Sequence, residues 1–144
     1  MEKSNTIKLL KSCNSGCKMA TNSIKQVIPY VHNNDMKAML NKYNDKHVNL
    51  GEKSHEELIK NNSDEEDPIP VADLFAKIST DIKLLVNNDD EQIAKIMMKG
   101  CNMGIETISR HINEYSDADK ISLKIAHDLV AIEEDFLHEL ELYV

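Results

Sequence analysis

Beginning at Leu10, small and apolar residues recur at steps of three and four: Leu10, Cys13, Cys17, Ala20, Ile24, Val27 and Val31, with Lys11, Lys18, Asn22, Lys25 and Gln26 between them. A stripe of that period belongs to an amphipathic helix whose apolar face must be buried against a partner. The spacing predicts a helix over 5–31. The polar run His32-Asn33-Asn34-Asp35 ends it, and Asn34 or Asp35 can cap the next helix by accepting hydrogen bonds from its first free amides. That helix, 35–60, carries Met36, Leu40, Tyr43, His47, Leu50, Ser54 and Leu58 on its seam. Residues 61–70 combine turn formers, acids and two prolines, which lack the N–H a helix needs, and form a linker. Val71, Phe75, Ile78, Ile82 and Leu85 then mark a shorter helix, 71–86, about 24 Å long at the usual rise per residue.

Two more long helices follow. The first, 90–115, carries Ala94, Met97, Cys101, Gly104, Ile108, Ile112 and Tyr115, and the second, 118–142, carries Ile121, Ile125, Leu129, Ile132, Phe136 and Leu140. Between them Ser116 can cap, with Asp117 and Asp119 favouring a helix N-terminus. No segment reads as a strand. The expected fold class is all-α: a four-helix bundle of two helical hairpins with a short extra helix in the connection, in one domain over 1–144. An echo supports two hairpins, since Lys11 to Gly16 and Lys99 to Gly104 both read K-x-C-N-x-G.

Composition agrees with a bundle, because tryptophan is absent and Leu, Ile, Val, Ala and Met are left to build the core. The net charge of −8 repels phosphate backbones and anionic lipid, so neither nucleic acid nor membrane is expected as a partner. No apolar run reaches the length of a bilayer span or of a signal peptide, so a cytoplasmic protein is expected. An odd number of cysteines, Cys13, Cys17 and Cys101, fits reduced thiols better than a disulfide framework.

Candidate chemistry is confined to the inward seams at mid-bundle depth, where Cys13, Cys17, His47, Cys101 and Tyr43 fall. Two thiols at i,i+4 with a third thiol and a neutral imidazole from other helices match a four-coordinate Cys3His set for zinc or another transition metal. The competing expectation is that the cysteines are apolar filler and that His47 hydrogen-bonds a neighbour such as Tyr43 or Ser54. Met19, Met36, Met39, Met97, Met98 and Met103 are likewise expected to fill gaps in packing. The other histidines, His32, His55, His111, His127 and His138, share no ligand spacing and are expected in solvent. Glu133, Glu134, Asp135, Glu139 and Glu141 are expected to form a solvated acidic face on the last helix. No nucleophile elbow, phosphate-binding loop, dinucleotide fingerprint or C-x-x-C motif occurs, so a non-enzymatic protein without a cofactor is expected. Leu84, Leu123, Val130 and Leu137 exceed the needs of one seam, pointing to a homodimer or another protein partner.

The segments Ile7 to Ile59 and Asp89 to Leu140, including CNMGIETISRHINEY from Cys101 to Tyr115, resemble the ferritin-like four-helix bundles, and most closely an uncharacterised bacterial group among them. That resemblance implies a ferritin-like bundle. Di-iron bundles place a Glu on each of two helices and a Glu-x-x-His pair on each of the other two. This chain departs from the pattern, because no carboxylate lies between Glu2 and Asp35 on the first helix. The fragments Glu52-x-x-His55 and Asp135-x-x-His138 fall on flanks, as does Glu106.

Overall fold

The computed structural model describes residues 2–63 and 89–144. The expected helix 71–86 and most of the linker 61–70 lie outside the described residues. Four long helices hold the rest: α1 Glu2–Val27, α2 Asn34–Lys60, α3 Asp90–Glu114 and α4 Lys120–Leu140. Short 3-10 turns, Ile28–Tyr30 and Glu141–Tyr143, extend α1 and α4. No strand occurs among the described residues.

The helix ends follow local chemistry and adjust the expected boundaries. Helix α1 stops at Val27 rather than 31, where Pro29 enters the chain. The cap of α2 is Asn33, one residue earlier than expected, whose side chain accepts from the Met36 amide at 2.9 Å. Asp119, not Ser116, caps α4 by accepting from the Ser122 amide at 2.8 Å. Asp89 caps α3. At the end of α2, Asn62 takes a positive φ of 57°, so Ser63 N–H reaches the Leu58 carbonyl and Asn62 N–H the Ile59 carbonyl. Asparagine tolerates that left-handed conformation better than most residues, and the paired bonds close the helix terminus.

Contacts between the ends set the helix directions. Asp90, the first residue of α3, accepts the backbone N–H groups of His32 at 2.8 Å and Asn33 at 2.9 Å, pinning its N-terminus to the α1–α2 turn. At the opposite end Asn5 donates to Asp117 and the Asp119 amide donates to Thr6, tying the α3–α4 turn to the start of α1. Helices α1 and α4 therefore run one way and α2 and α3 the other. Ser63 and Asp89 therefore stand at opposite ends of the bundle.

Helix α1 packs mainly on α2, and α3 on α4, with α4 also meeting α1 and α2. The buried apolar residues form two clusters along the axis. One, toward the α1–α2 turn, gathers Ile24, Met36, Leu40, Tyr43, Met97, Cys101, Phe136 and Leu140. The other gathers Leu9, Leu10, Cys13, Cys17, Leu50, Leu58, Ile108 and Leu129. All seven seam residues named for α2 are buried. The seam of α4 differs: Ile121 is 55 % exposed and Ile132 half-buried, while Ser122, Ala126 and Glu133 are buried. Leu123, Val130 and Leu137 are half-buried against the core clusters and serve the bundle's own packing. Leu84 lies outside the described residues.

Candidate functional site

The polar centre of the bundle is built by α2 and α4. His47 is fully buried on the inner face of α2, and its Nδ1 lies 2.7 Å from the Tyr43 carbonyl one turn earlier. A carbonyl only accepts, so Nδ1 carries a proton and Nε2 faces across the bundle. There it meets Oε1 of Glu133 on α4, itself only 6 % exposed. This overturns the expectation of a solvated face at Glu133. In α4 the buried line is Ser122, Ala126, Leu129, Glu133, Phe136 and Leu140, spaced four and three like any inward stripe, which brings Glu133 inward with Leu129 and Phe136.

Burial alone lowers the proton affinity of His47. The hydrogen bond and charge of Glu133, with the backbone bond to Tyr43, outweigh it and hold the pKa above the ordinary histidine range. The pair shares one proton between Nε2 and Oε1 and is neutral as a unit. Aromatic rings enclose it: Phe136 stacks on Tyr43 with centroids 4.6 Å apart, and His47 meets the edge of Phe136 at 6.2 Å. The Tyr43 hydroxyl donates outward to Glu139, which also bonds Lys42 at 2.9 Å.

Two of the thiols, Cys17 and Cys101, feel the charge of the same carboxylate. Cys101 on α3 lies beside Glu133, and its pKa is pushed up by burial first and by Glu133 second. Cys17 on α1 is raised by burial, then by Cys13 and Glu133. Cys13 stands one turn away from Cys17 in α1, and burial pushes it up to about 12. Of the four expected ligands, Cys17, His47 and Cys101 converge on Glu133, and Cys13 is set apart. Among the described residues no group of three or more His, Cys, Asp or Glu side chains is arranged to hold a metal ion. All three cysteines are buried free thiols, and burial raises the pKa of each, which disfavours the nucleophilic thiolate.

Two openings flank the pair. Between α1 and α3 a slot of about 40 Å³ is walled by Gly16, Ala20, Met97, Gly100, Gly104 and Ile108 and reaches Cys101 and Glu133. Between α1 and α2 an open groove of about 360 Å³ passes Asn14, Cys17, His47, Gly51 and Glu52. The slot holds no more than a few water molecules, given that one water requires about 10–15 Å³ in such a cavity.

One further histidine departs from expectation. His111 on α3 is half-buried, with Nδ1 2.5 Å from the hydroxyl of Ser12 on α1. Burial, then the charge of Arg110, holds it below the ordinary histidine range, so it is a neutral hydrogen-bonding partner of Ser12. His32, His127 and His138 are exposed as expected, and His55 is half-buried.

No helix is long and apolar enough to cross a membrane among the described residues. No protein-family model matches the chain, and no match was found among curated proteins or solved structures.

Proposed function

We propose that this protein is a ferritin-like, non-enzymatic helical bundle of the cytoplasm, acting through its surface by self-association or by binding another protein. The observation that carries the reading is the state of its chemically capable groups. Cys13, Cys17, Cys101, His47 and Glu133 are all buried, and each is consumed by packing or by a hydrogen bond inside the core. The helix directions, with the end of α2 and the start of α3 at opposite ends of the bundle, agree with a ferritin-like plan. Free thiols agree with a reducing compartment.

The surface has features suited to protein contacts. Exposed apolar side chains gather at the bundle ends, Ile59 and Ile121 at one and Tyr30, Leu142 and Val144 at the other. Charge is segregated as well. Helix α1 carries five lysines against the single acid Glu2, whereas α4 exposes Glu134 and Asp135. A basic face and an acidic face on one chain complement each other between copies or toward a partner.

The test combines mass by light scattering with thiol chemistry. Self-association is expected to rise with concentration, to weaken in salt and in Ile121→Lys or Leu142→Lys, and to persist when all three cysteines are replaced by alanine or valine in a folded variant. A monomer at every concentration that also captures no protein partner would refute surface action. Rapid reaction of the native thiols with a disulfide reagent at neutral pH would refute the inert core.

A further inference from the structure

The ferritin-like reading just proposed implies a metal centre at mid-bundle, and the residues present do not fit one. A di-iron bundle needs carboxylates from two helices and Glu-x-x-His from the other two. Here α1 offers Asn14 and Cys17 at the corresponding depth, and α3 offers Cys101. In α2 the pattern reads Asn44-x-x-His47, keeping the histidine and losing the acid. In α4 it reads Glu133-x-x-Phe136, keeping the acid and losing the histidine. One donor survives on each of two facing helices, and the two survivors hold each other.

We infer that the centre is a proton site built in place of a metal site, with the His47 imidazolium occupying the position of a cation against the Glu133 carboxylate. Three observations carry it. The Nδ1 bond to the Tyr43 carbonyl orients the ring as an outer-shell bond orients a metal-binding histidine, yet Nε2 is aimed at a carboxylate oxygen. The carboxylate is fitted closely against α3, since a Cβ at Gly104 would stand 3.3 Å from Oε2. Phe136, at the place where a second histidine would ligate, instead stacks on Tyr43 and closes the site with apolar surface. The pair holds one shared proton and needs no external charge, and a divalent ion would have to displace that proton.

The inference rests on the ferritin-like reading for the comparison, and its test is independent of self-association. The full-length reduced protein is titrated with zinc, and with ferrous iron under anaerobic conditions, against a chelating dye. Sub-stoichiometric uptake and a melting temperature unchanged by chelator are expected. In parallel, His47→Gly is expected to lose stability and to regain part of it with millimolar imidazole, whereas His47→Gly with Glu133→Gln gains nothing. If His47→Gly does not fold, nuclear magnetic resonance of the wild type decides instead: a far-downfield, slowly exchanging imidazole proton on His47 is expected, absent in Glu133→Gln. Stoichiometric tight metal binding that depends on Glu133 overturns the inference, as does imidazole rescue independent of Glu133 or the lack of that resonance. Loss of self-association in those variants bears on the surface reading alone.

Discussion

Gly104 of α3 faces the carboxylate of Glu133, so that a Cβ added there would lie 3.3 Å from Oε2 and 3.4 Å from the carboxyl carbon. The contact is tight, and the neighbour cannot yield freely because its other oxygen is held by His47. Gly104→Ala is expected to destabilise the protein by about 1–3 kcal/mol, the usual cost of overpacking. Gly16→Ala provides the contrast. Its Cβ meets flexible methyl groups of Leu129 at 3.4 Å and Ile108 at 3.8 Å, and removing a mid-helix glycine gains up to about 1 kcal/mol in propensity. Urea denaturation of both variants checks the difference, and equal effects would show that Glu133 is not held in place.

The raised pKa of His47 sets the sign of a pH dependence. A group that binds its proton more tightly when folded contributes fully below its unfolded value, and that contribution is lost as pH rises through the folded value. Stability is therefore expected to fall as pH climbs above 6.5, the ordinary value for histidine. The clean window ends near 9.0, where the thiols of the unfolded chain begin to lose protons. Urea midpoints across that window should decline in the wild type and decline less in Glu133→Gln. A flat wild-type profile would place the proton elsewhere.

Much of this arrangement was legible in the sequence, and the misses have physical causes. In α2 the spacing from Met36 to Leu58 named a seam that is buried throughout, because one helical face carries all the apolar bulk. In α4 the expected seam of Ile121, Ile125, Leu129, Ile132, Phe136 and Leu140 is buried at Ile125, Leu129, Phe136 and Leu140, and departs at Ile121 and Ile132, where apolar bulk gives the wrong position. The alternative line through Ser122, Ala126, Leu129 and Glu133 has the same spacing, but it contains small residues and one acid, so residue-by-residue hydrophobicity discards it. Only the facing His47 gives the acid a reason to be inside. The signal available was the pairing of a seam histidine on one helix with an acid at a seam-compatible position on another. The slot beside Gly104 could not be read from one chain, because it depends on how two glycine-bearing helices approach.

Asp90 binds the α1–α2 turn through both carboxylate oxygens, to the amides of His32 and Asn33. It ties the start of α3 to the turn between the first two helices, beside the apolar packing of Ile93 and Ala94. Hydrogen bonds to a charged group contribute about 1.5–3 kcal/mol, and partial exposure reduces that here to about 1–2 kcal/mol. Asp90→Ala is expected to lose that amount and to speed proteolysis near residues 31–34, while Asp90→Asn, which keeps one acceptor, loses less. Limited proteolysis with mass mapping reads both effects. Unchanged cleavage at the turn would mean that packing alone holds it.

The most direct test of the self-contained polar centre is a double-mutant cycle in stability on His47→Leu, Glu133→Met and the pair together. Removing one member of a buried ion pair strands the other, which costs about 3–5 kcal/mol, whereas replacing both with apolar residues of similar volume is close to neutral. Each single variant is expected to lose stability on that scale and the double variant to recover most of it. Single losses that simply add in the double variant would contradict a His47–Glu133 pair at the heart of the bundle.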